Sequence, residues 1–164
     1  MKIPLNNHRE LVFEQDPEDK GNWYTQYLDT NLKLNIGFYQ KIFNDDKNDD
    51  TIPIDQAALK FVVNKIIFEI NEFRQKGENV LTAFHKEVFN NEFEEKKCYF
   101  DLRFIDITKI KRSSLVSDYI EYEFQLVYDI ESKLDYLVDP YCEYIAKFYS
   151  VTPHHVILRS VARE

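Results

Sequence analysis

Hydrophobic and polar residues alternate almost without a fault from Tyr119 to Ile130. A side-chain period of two predicts a β-strand, and a polar row on one side predicts that only the other side is covered. The polar row is interrupted only by Val127. Because the stretch is rich in β-branched and aromatic residues, we expect it to be a central strand of an antiparallel sheet. Its apolar face consists of Ile120, Tyr122, Phe124, Leu126, Tyr128 and Ile130.

Residues 23–43 have the pattern of a β-hairpin. Its predicted arms are residues 23–28 and 32–43, and the Asp-Thr-Asn connection between them has a composition that favours tight turns. Gly37 lies within the polar row of the second arm and predicts a β-bulge. The apolar face of that arm consists of Leu32, Leu34, Ile36 and Phe38.

Three later segments, residues 98–107, 142–149 and 155–161, also predict strands. Residues 1–22 lack such a period, and we expect them to be irregular apart from a short strand near Leu11. The predicted apolar face of the first late strand consists of Cys98, Phe100, Leu102 and Phe104.

A helical period occurs only between these two groups of strands. Residues 55–76 predict a helix with Asp55 as its N-cap and Gly77 as the left-handed residue that ends it. Ile66 should be buried where this helix meets the sheet. The apolar stripe consists of Leu59, Val62, Val63, Ile66, Ile70 and Phe73, widened by Phe61, Ile67 and Phe68. A second helix is expected at residues 79–90, and its inner face would contain Val80, Leu81, Phe84 and Val88.

The order of strands, two helices and strands predicts an α+β fold. We expect an antiparallel sheet that is covered on one face by the two helices. A chain of 164 residues is long enough to bury its own core, and scarce glycine and proline argue against long linkers. The sequence therefore predicts a single domain spanning residues 1–164.

The formal net charge of −8 limits the classes of partner. Nucleic acid is excluded because phosphate binding requires clustered Lys and Arg, whereas a basic protein partner is compatible with this charge. No apolar segment is long enough for a signal peptide or a membrane span, so we expect a cytoplasmic protein without membrane contact. Cys98 and Cys142 lack a CxxC or Cys/His spacing, so we expect reduced thiols and no zinc site.

The sequence lacks the common motifs for metals and cofactors. The acidic segment 44–50 suggests calcium, but an EF-hand loop that starts at Asp45 would place Asp50 and Gln56 where glycine and glutamate are required. No HExxH, GxSxG or glycine-rich phosphate loop occurs. We therefore expect no metal and no cofactor.

The acidic residues are concentrated between Asp118 and Glu143, where eight carboxylates accompany a single lysine. Tyrosines are interspersed among them, and tyrosine is enriched in the cores of protein interfaces. Carboxylates fixed on one side of a strand would steer a basic partner. The predicted partner-binding residues are Glu121, Glu123, Asp129, Asp135, Asp139 and Tyr141.

Two alternatives from other functional classes stay open. His154 and His155, with nearby carboxylates, could serve a small hydrolase-like enzyme, although adjacent residues on a strand point to opposite faces. An exposed sheet face could instead support a structural or regulatory oligomer. A deep pocket that gathers histidine and carboxylates would favour the enzyme, and a flat acidic and aromatic face would favour the binding protein.

The layout also resembles a known group of proteins. A hairpin leads through an acidic loop to IPIDQAALKFVVNKIIFEI and a second helix with AFHKEVF, and EFQLVYDI is followed by LVDPYCEYIAKF. This resembles the small acidic α+β domains of bacteria, several of which are considered immunity proteins of polymorphic toxin systems. The family's turn before the last strands usually carries Trp or Gly, where this chain has Pro140 and Tyr141. The resemblance implies a protein that binds and neutralises a partner, and it implies no catalytic residues.

Overall fold

The computed structural model describes residues 1–29, 32–43, 53–89, 92–112, 119–134, 139, 141–152 and 155–164. The acidic segment 44–50 lies outside these residues. The described strands are β1 (Lys2–Pro4), β2 (Glu10–Val12), β3 (Glu14–Gln15), β4 (Asn22–Asp29), β5 (Leu32–Tyr39), β6 (Cys98–Arg112), β7 (Ile120–Ser132), β8 (Tyr144–Thr152) and β9 (His155–Arg163). The described α-helices are α1 (Gln56–Phe68), α2 (Ile70–Phe89) and α3 (Glu92–Glu95), and a 3₁₀ helix spans Gln40–Phe43.

The structure confirms the α+β class and corrects the predicted sheet. Strands β3 to β9 form one seven-stranded sheet in sequence order, while β1 and β2 pair separately. The sheet is mixed rather than antiparallel, because β5 and β6 run parallel. The helices lie between these two strands in the chain, and such a crossover brings the chain back in the same direction.

Strand β7 is central, as its alternation predicts, with β6 and β8 on its two sides. The whole predicted apolar face, from Ile120 to Ile130, is buried. Helix α2 covers it through Phe73, whose ring centroid is 5.1 Å from that of Phe124 on β7 and 5.3 Å from that of Phe148 on β8. The core therefore lies between one face of the sheet and the helices.

Asp55 caps α1 as predicted. Its side chain accepts a hydrogen bond of 3.0 Å from the backbone N–H of Ala58. The guanidinium of Arg112 donates to the same carboxylate at 2.5 and 3.1 Å, and these bonds hold the pKa of Asp55 below its usual value. The cap thereby links the start of α1 to the end of β6.

Ile66 on this helix is buried as predicted, with 1% of its surface exposed.

The predicted boundary between the two helices was wrong. Helix α1 ends at Phe68, and Gly77 lies in the middle of α2, without a positive φ. The predicted stripe from Leu59 to Phe73 is buried, and so is Leu81 of the second helix. Residues expected beside these are exposed instead, namely Phe61, Phe68, Val80 and Val88. The side of α2 that is buried consists of Ile70, Phe73, Gly77, Leu81 and His85.

Helix α2 approaches the sheet closely at Gly77. A Cβ atom at this position would lie 3.0 Å from the Cβ of Ala146 and 3.1 Å from the hydroxyl oxygen of Tyr128. Only glycine leaves enough room for the helix backbone at this distance. The sequence pattern predicts a helix end at this glycine because glycine favours the left-handed conformation, whereas its role here is in packing.

The predictions for Phe104 and Gly37 were also wrong. Strand β6 has two register shifts, between Leu102 and Phe104 and between Ile107 and Lys109, so its inward residues change from Leu102 to Ile105. Phe104 consequently lies on the opposite face from the core. Gly37 pairs regularly with Tyr24, and a Cβ there would lie 2.6 Å from the Cζ of Phe104. This glycine accommodates an aromatic ring instead of a bulge.

The N-terminal segment is more regular than predicted. The segment 1–22 contains β1, β2 and β3, and β3 pairs with β4 at the edge of the large sheet. The predicted hairpin is confirmed as β4 and β5, but its second arm ends at Tyr39 and continues as the 3₁₀ helix. Cys98 and Cys142 form no disulfide. Within the described residues, every helix is too short or too polar to cross a membrane.

Candidate functional site

The outer face, defined as the side of the seven-stranded sheet opposite to α1 and α2, has no helix packed on it among the described residues. Alternation along β7 places Glu121, Glu123 and Asp129 there, as predicted, and all three are partly exposed. Tyr24 and Tyr99, on β4 and β6, are 40% and 43% exposed. The outer face thus combines carboxylates with exposed aromatic rings.

Cations from β6 and β9 lie beside the acidic row of β7. A carboxylate oxygen of Glu123 is 3.7 Å from the Nζ of Lys109, and the other oxygen is 3.6 Å from a terminal nitrogen of Arg159. Glu121 lies opposite Lys111 in the register of β6 and β7. The outer face is therefore a mixture of both charges, whereas the sequence showed only the acidic half of it.

Asp129 lies in a cluster with a like charge. It is directly opposite Asp101 on β6, and one terminal nitrogen of Arg103 lies 3.5 Å from each of the two carboxylates. The guanidinium offsets the repulsion that two facing carboxylates would otherwise produce. Asp129 therefore has a cationic neighbour at the sheet surface that no pattern in its own segment indicates.

An apolar patch occupies the centre of the outer face. Val127 and Ile145 are buried there, and the ring of Phe104 lies opposite Val127 in the register.

Next to this patch, Asp106 accepts a hydrogen bond of 3.1 Å from the side-chain amide of Gln125. Burial raises the pKa of Asp106 above its ordinary value, and the Gln125 hydrogen bond opposes this effect only in part.

We expect Asp106→Asn to stabilise the protein at neutral pH. The raised folded-state pKa means that ionising this carboxyl group costs more in the folded than in the unfolded chain. The stability of the native protein therefore falls as the pH rises from the ordinary value of 3.8 through the folded-state pKa. Asparagine removes this cost, so its advantage should be absent near pH 3 and complete at pH 7.

Chemical denaturation of Asp106→Asn and the native protein at pH 3 and pH 7 measures this effect. Asp129→Asn is the matched control on the same face, because it removes a carboxylate with a cationic neighbour and should bring no gain at pH 7. Equal free energies of unfolding for Asp106→Asn and the native protein at pH 7 would contradict the prediction.

The remaining predicted binding residues lie near the start of β8. One carboxylate oxygen of Asp139 accepts from the Nε of Arg163 at 2.8 Å and from the hydroxyl of Tyr144 at 3.2 Å. Burial raises the pKa of Tyr144 to about 12, so this hydroxyl remains a donor. Tyr141 is 92% exposed. Asp135 lies outside the described residues.

The histidines do not meet a set of acidic side chains in the described part of the chain. His155 is exposed at the first position of β9, and His154 lies outside the described residues. His85 is buried on α2, where its ring packs against Phe93 and Tyr144 at centroid distances of 5.4 and 5.8 Å. Among the described residues, no group of three His, Cys, Asp or Glu side chains could hold a metal ion.

A cavity of about 440 Å³ opens where β5 and β6 separate, and we call it the strand-gap cleft. The two strands pair only from Asn35 to Phe38 and from Phe104 to Ile107, so their preceding residues lie apart. The cleft is lined by Gln26, Lys33, Asn35, Arg74, Asp101, Leu102 and Arg103. No sequence pattern predicts this cleft, because its residues come from four separate elements without a common motif.

Comparison with known proteins identified no relative of this chain: no family model, no curated protein and no solved structure matches it.

Proposed function

We propose that the protein is a binding module that recognises a basic protein partner with its outer face. The observation that carries this proposal is the open face itself, because the helices pack on the other side of the sheet and leave charged and aromatic residues accessible. Interfaces are enriched in tyrosine, and Tyr24, Tyr39 and Tyr99 are each at least 40% exposed on this face.

The carboxylates of the outer face retain capacity for a partner. The contacts of Glu123 with Lys109 and Arg159 are 3.7 and 3.6 Å long, which is longer than a hydrogen bond between charged groups. Glu121 has no ion pair within the described residues. A cation from another protein could therefore bind these oxygens without first breaking a strong internal bond.

The mixed charge of the face defines how such a partner would be selected. A partner must place cations over β7 and avoid the lysines and arginines of β6 and β9, so the face would discriminate by pattern rather than by net charge. The resemblance to immunity proteins supports a role in which binding neutralises the partner. Tyr141, which is 92% exposed near the start of β8, would extend the contact beyond the strand, whereas Asp139 is already bonded to Arg163.

The test is a double charge reversal, Glu121→Lys with Glu123→Lys. The immobilised native protein and this variant are exposed to a lysate of the source organism, and the bound proteins are quantified by mass spectrometry. A captured partner is then purified, and its association rate is measured at low and physiological salt. We expect the variant to lose this partner and the native association rate to fall with salt, because screening acts over about 8 Å at physiological ionic strength.

The matched control carries the same change of charge on the helical side, as Glu87→Lys with Glu95→Lys, both exposed positions. It should capture the partner as the native protein does. Equal recovery by all three proteins would refute binding through the outer face, and loss of the partner in the control as well would show that only net charge matters.

A further inference from the structure

The strand-gap cleft is rich in cations, although the chain as a whole is acidic. Three cationic side chains and one acidic side chain line it, in a protein with a formal net charge of −8. Lys33 is on β5, Arg74 is on α2 and Arg103 is on β6. The fold brings these three together from distant parts of the sequence, so they surround one volume from different directions.

The acidic residues near these cations occupy only some of the hydrogen-bond donors that the cations carry. Glu78 accepts from the Nε of Arg74 at 3.2 Å, and both terminal nitrogens of this guanidinium keep their donors. Within the described residues, Lys33 has no ion pair. The cleft therefore has several N–H donors that the described part of the chain does not use.

Arg103 keeps donors as well. Asp101 and Asp129 both approach the same terminal nitrogen, each at 3.5 Å, which leaves the Nε and the other terminal nitrogen of Arg103. Neutral donors complete the lining. The side-chain nitrogen of Gln26 donates to the amide oxygen of Asn35 at 3.5 Å, and the side-chain nitrogen of Asn35 stays available as a donor for a ligand. An anion in the cleft could thus accept from charged and neutral groups together.

This arrangement suits a phosphate group better than a carboxylate. One arginine is sufficient for both oxygens of a carboxylate, whereas a terminal phosphate presents three oxygens that accept from several directions. The cavity volume of about 440 Å³ is within the range of small-molecule sites and exceeds the volume of a phosphate ion alone. The lining is polar except for Leu102, so the rest of the ligand would be polar too.

We propose that the strand-gap cleft binds the phosphate group of a small polar molecule, with Lys33, Arg74 and Arg103 as its cationic contacts. This site goes beyond protein binding by the outer face. The two are distinguishable, because one is tested with a purified anion and the other with a protein partner.

Isothermal titration with inorganic pyrophosphate at 150 mM NaCl tests the proposal, and citrate serves as the carboxylate probe. We expect saturable binding of pyrophosphate at one site per chain and weaker binding of citrate. Lys33→Gln and Arg74→Gln should each weaken pyrophosphate binding by about tenfold or more, because each removes a charge-assisted hydrogen bond. Lys33 is exposed, so its replacement should leave the melting temperature of the free protein unchanged.

Lys147→Gln is the matched control. This lysine is also on the outer face, pairs with Glu164 at 3.1 Å and does not line the cleft, so the control should bind pyrophosphate like the native protein. Absence of saturable pyrophosphate binding up to about 10 mM, a value well above ordinary ligand concentrations, would overturn the proposal. Equal weakening by Lys147→Gln, or tighter binding of citrate than of pyrophosphate, would also overturn it.

Discussion

Replacement of Ile66 with aspartate should destabilise the protein by roughly 3–5 kcal/mol. Ile66 is 1% exposed where α1 packs on the sheet, so the substitution removes a large apolar group and buries a charge without a partner. In a chain of this length each kcal/mol corresponds to about 2–4 °C in melting temperature, and we therefore expect a fall of about 10 °C or more. Thermal melting, monitored by circular dichroism, measures this fall in melting temperature.

Phe68→Asp provides a matched control on the same helix. Phe68 is only two residues away but is 84% exposed, so the same chemical change should cost no more than about 1 kcal/mol, mainly through the unfavourable charge at a helix C-terminus. If the two variants melted at the same temperature, the assignment of the buried face of α1 would be wrong.

Gly77→Leu should give the second large effect, a net loss of about 2–3 kcal/mol. A leucine in the middle of α2 would gain about 1 kcal/mol of helix propensity over glycine, but its side chain would overlap Ala146 and Tyr128, which lie 3.0 and 3.1 Å from the position of the Cβ. The side chain of Tyr128 would have to shift, or the helix would have to move away from β7 and β8, to remove this overlap. Urea denaturation of the variant measures the loss.

Gln75→Leu is the control for this experiment, because it introduces the same side chain at an exposed position of the same helix. Its stability should equal or slightly exceed that of the native protein. A native-like stability of Gly77→Leu would mean that the helix does not need its close contact with the sheet.

The sequence predicted β7 well because its pattern has a direct physical cause. The inward residues of this strand are all buried, and its outward residues are partly exposed except for Val127 and Glu131, so burial follows the pleat over most of the strand. The N-cap at Asp55 was also predictable, since capping depends on residues that are adjacent in the chain. Local causes of this kind are visible in a single sequence.

The errors arose where packing between distant segments decides the structure. Alternation shows that β5 has an apolar face, but it does not show that β6 will lie beside it in parallel. The register shifts that move Phe104 to the outer face leave no mark in the sequence, and Gly77 is needed for a contact with β7 and β8 rather than for a turn. These features depend on partners that are far away in the chain.

The candidate site was only half predictable for the same reason. The acidic row of Glu121 and Glu123 was visible because it lies on one strand. Lys109 and Arg159 lie beside Glu123 only through the pairing of four strands, β6 to β9, so the mixed charge of the outer face appeared with the structure. The strand-gap cleft depends on the separation of β5 and β6, which no pattern of residues predicts.

The parallel pair of β5 and β6 also sets an order for folding. Ile36 pairs with Ile105 across 69 positions of the chain, whereas β4 with β5, β6 with β7 and β8 with β9 are joined by short connections. Closing a segment about ten times longer costs about 2 kcal/mol more in chain entropy, so the hairpins should form first and the parallel seam last. The seam at the strand-gap cleft is then where transient opening of the native sheet should begin, and its amides should exchange with solvent before those of β7.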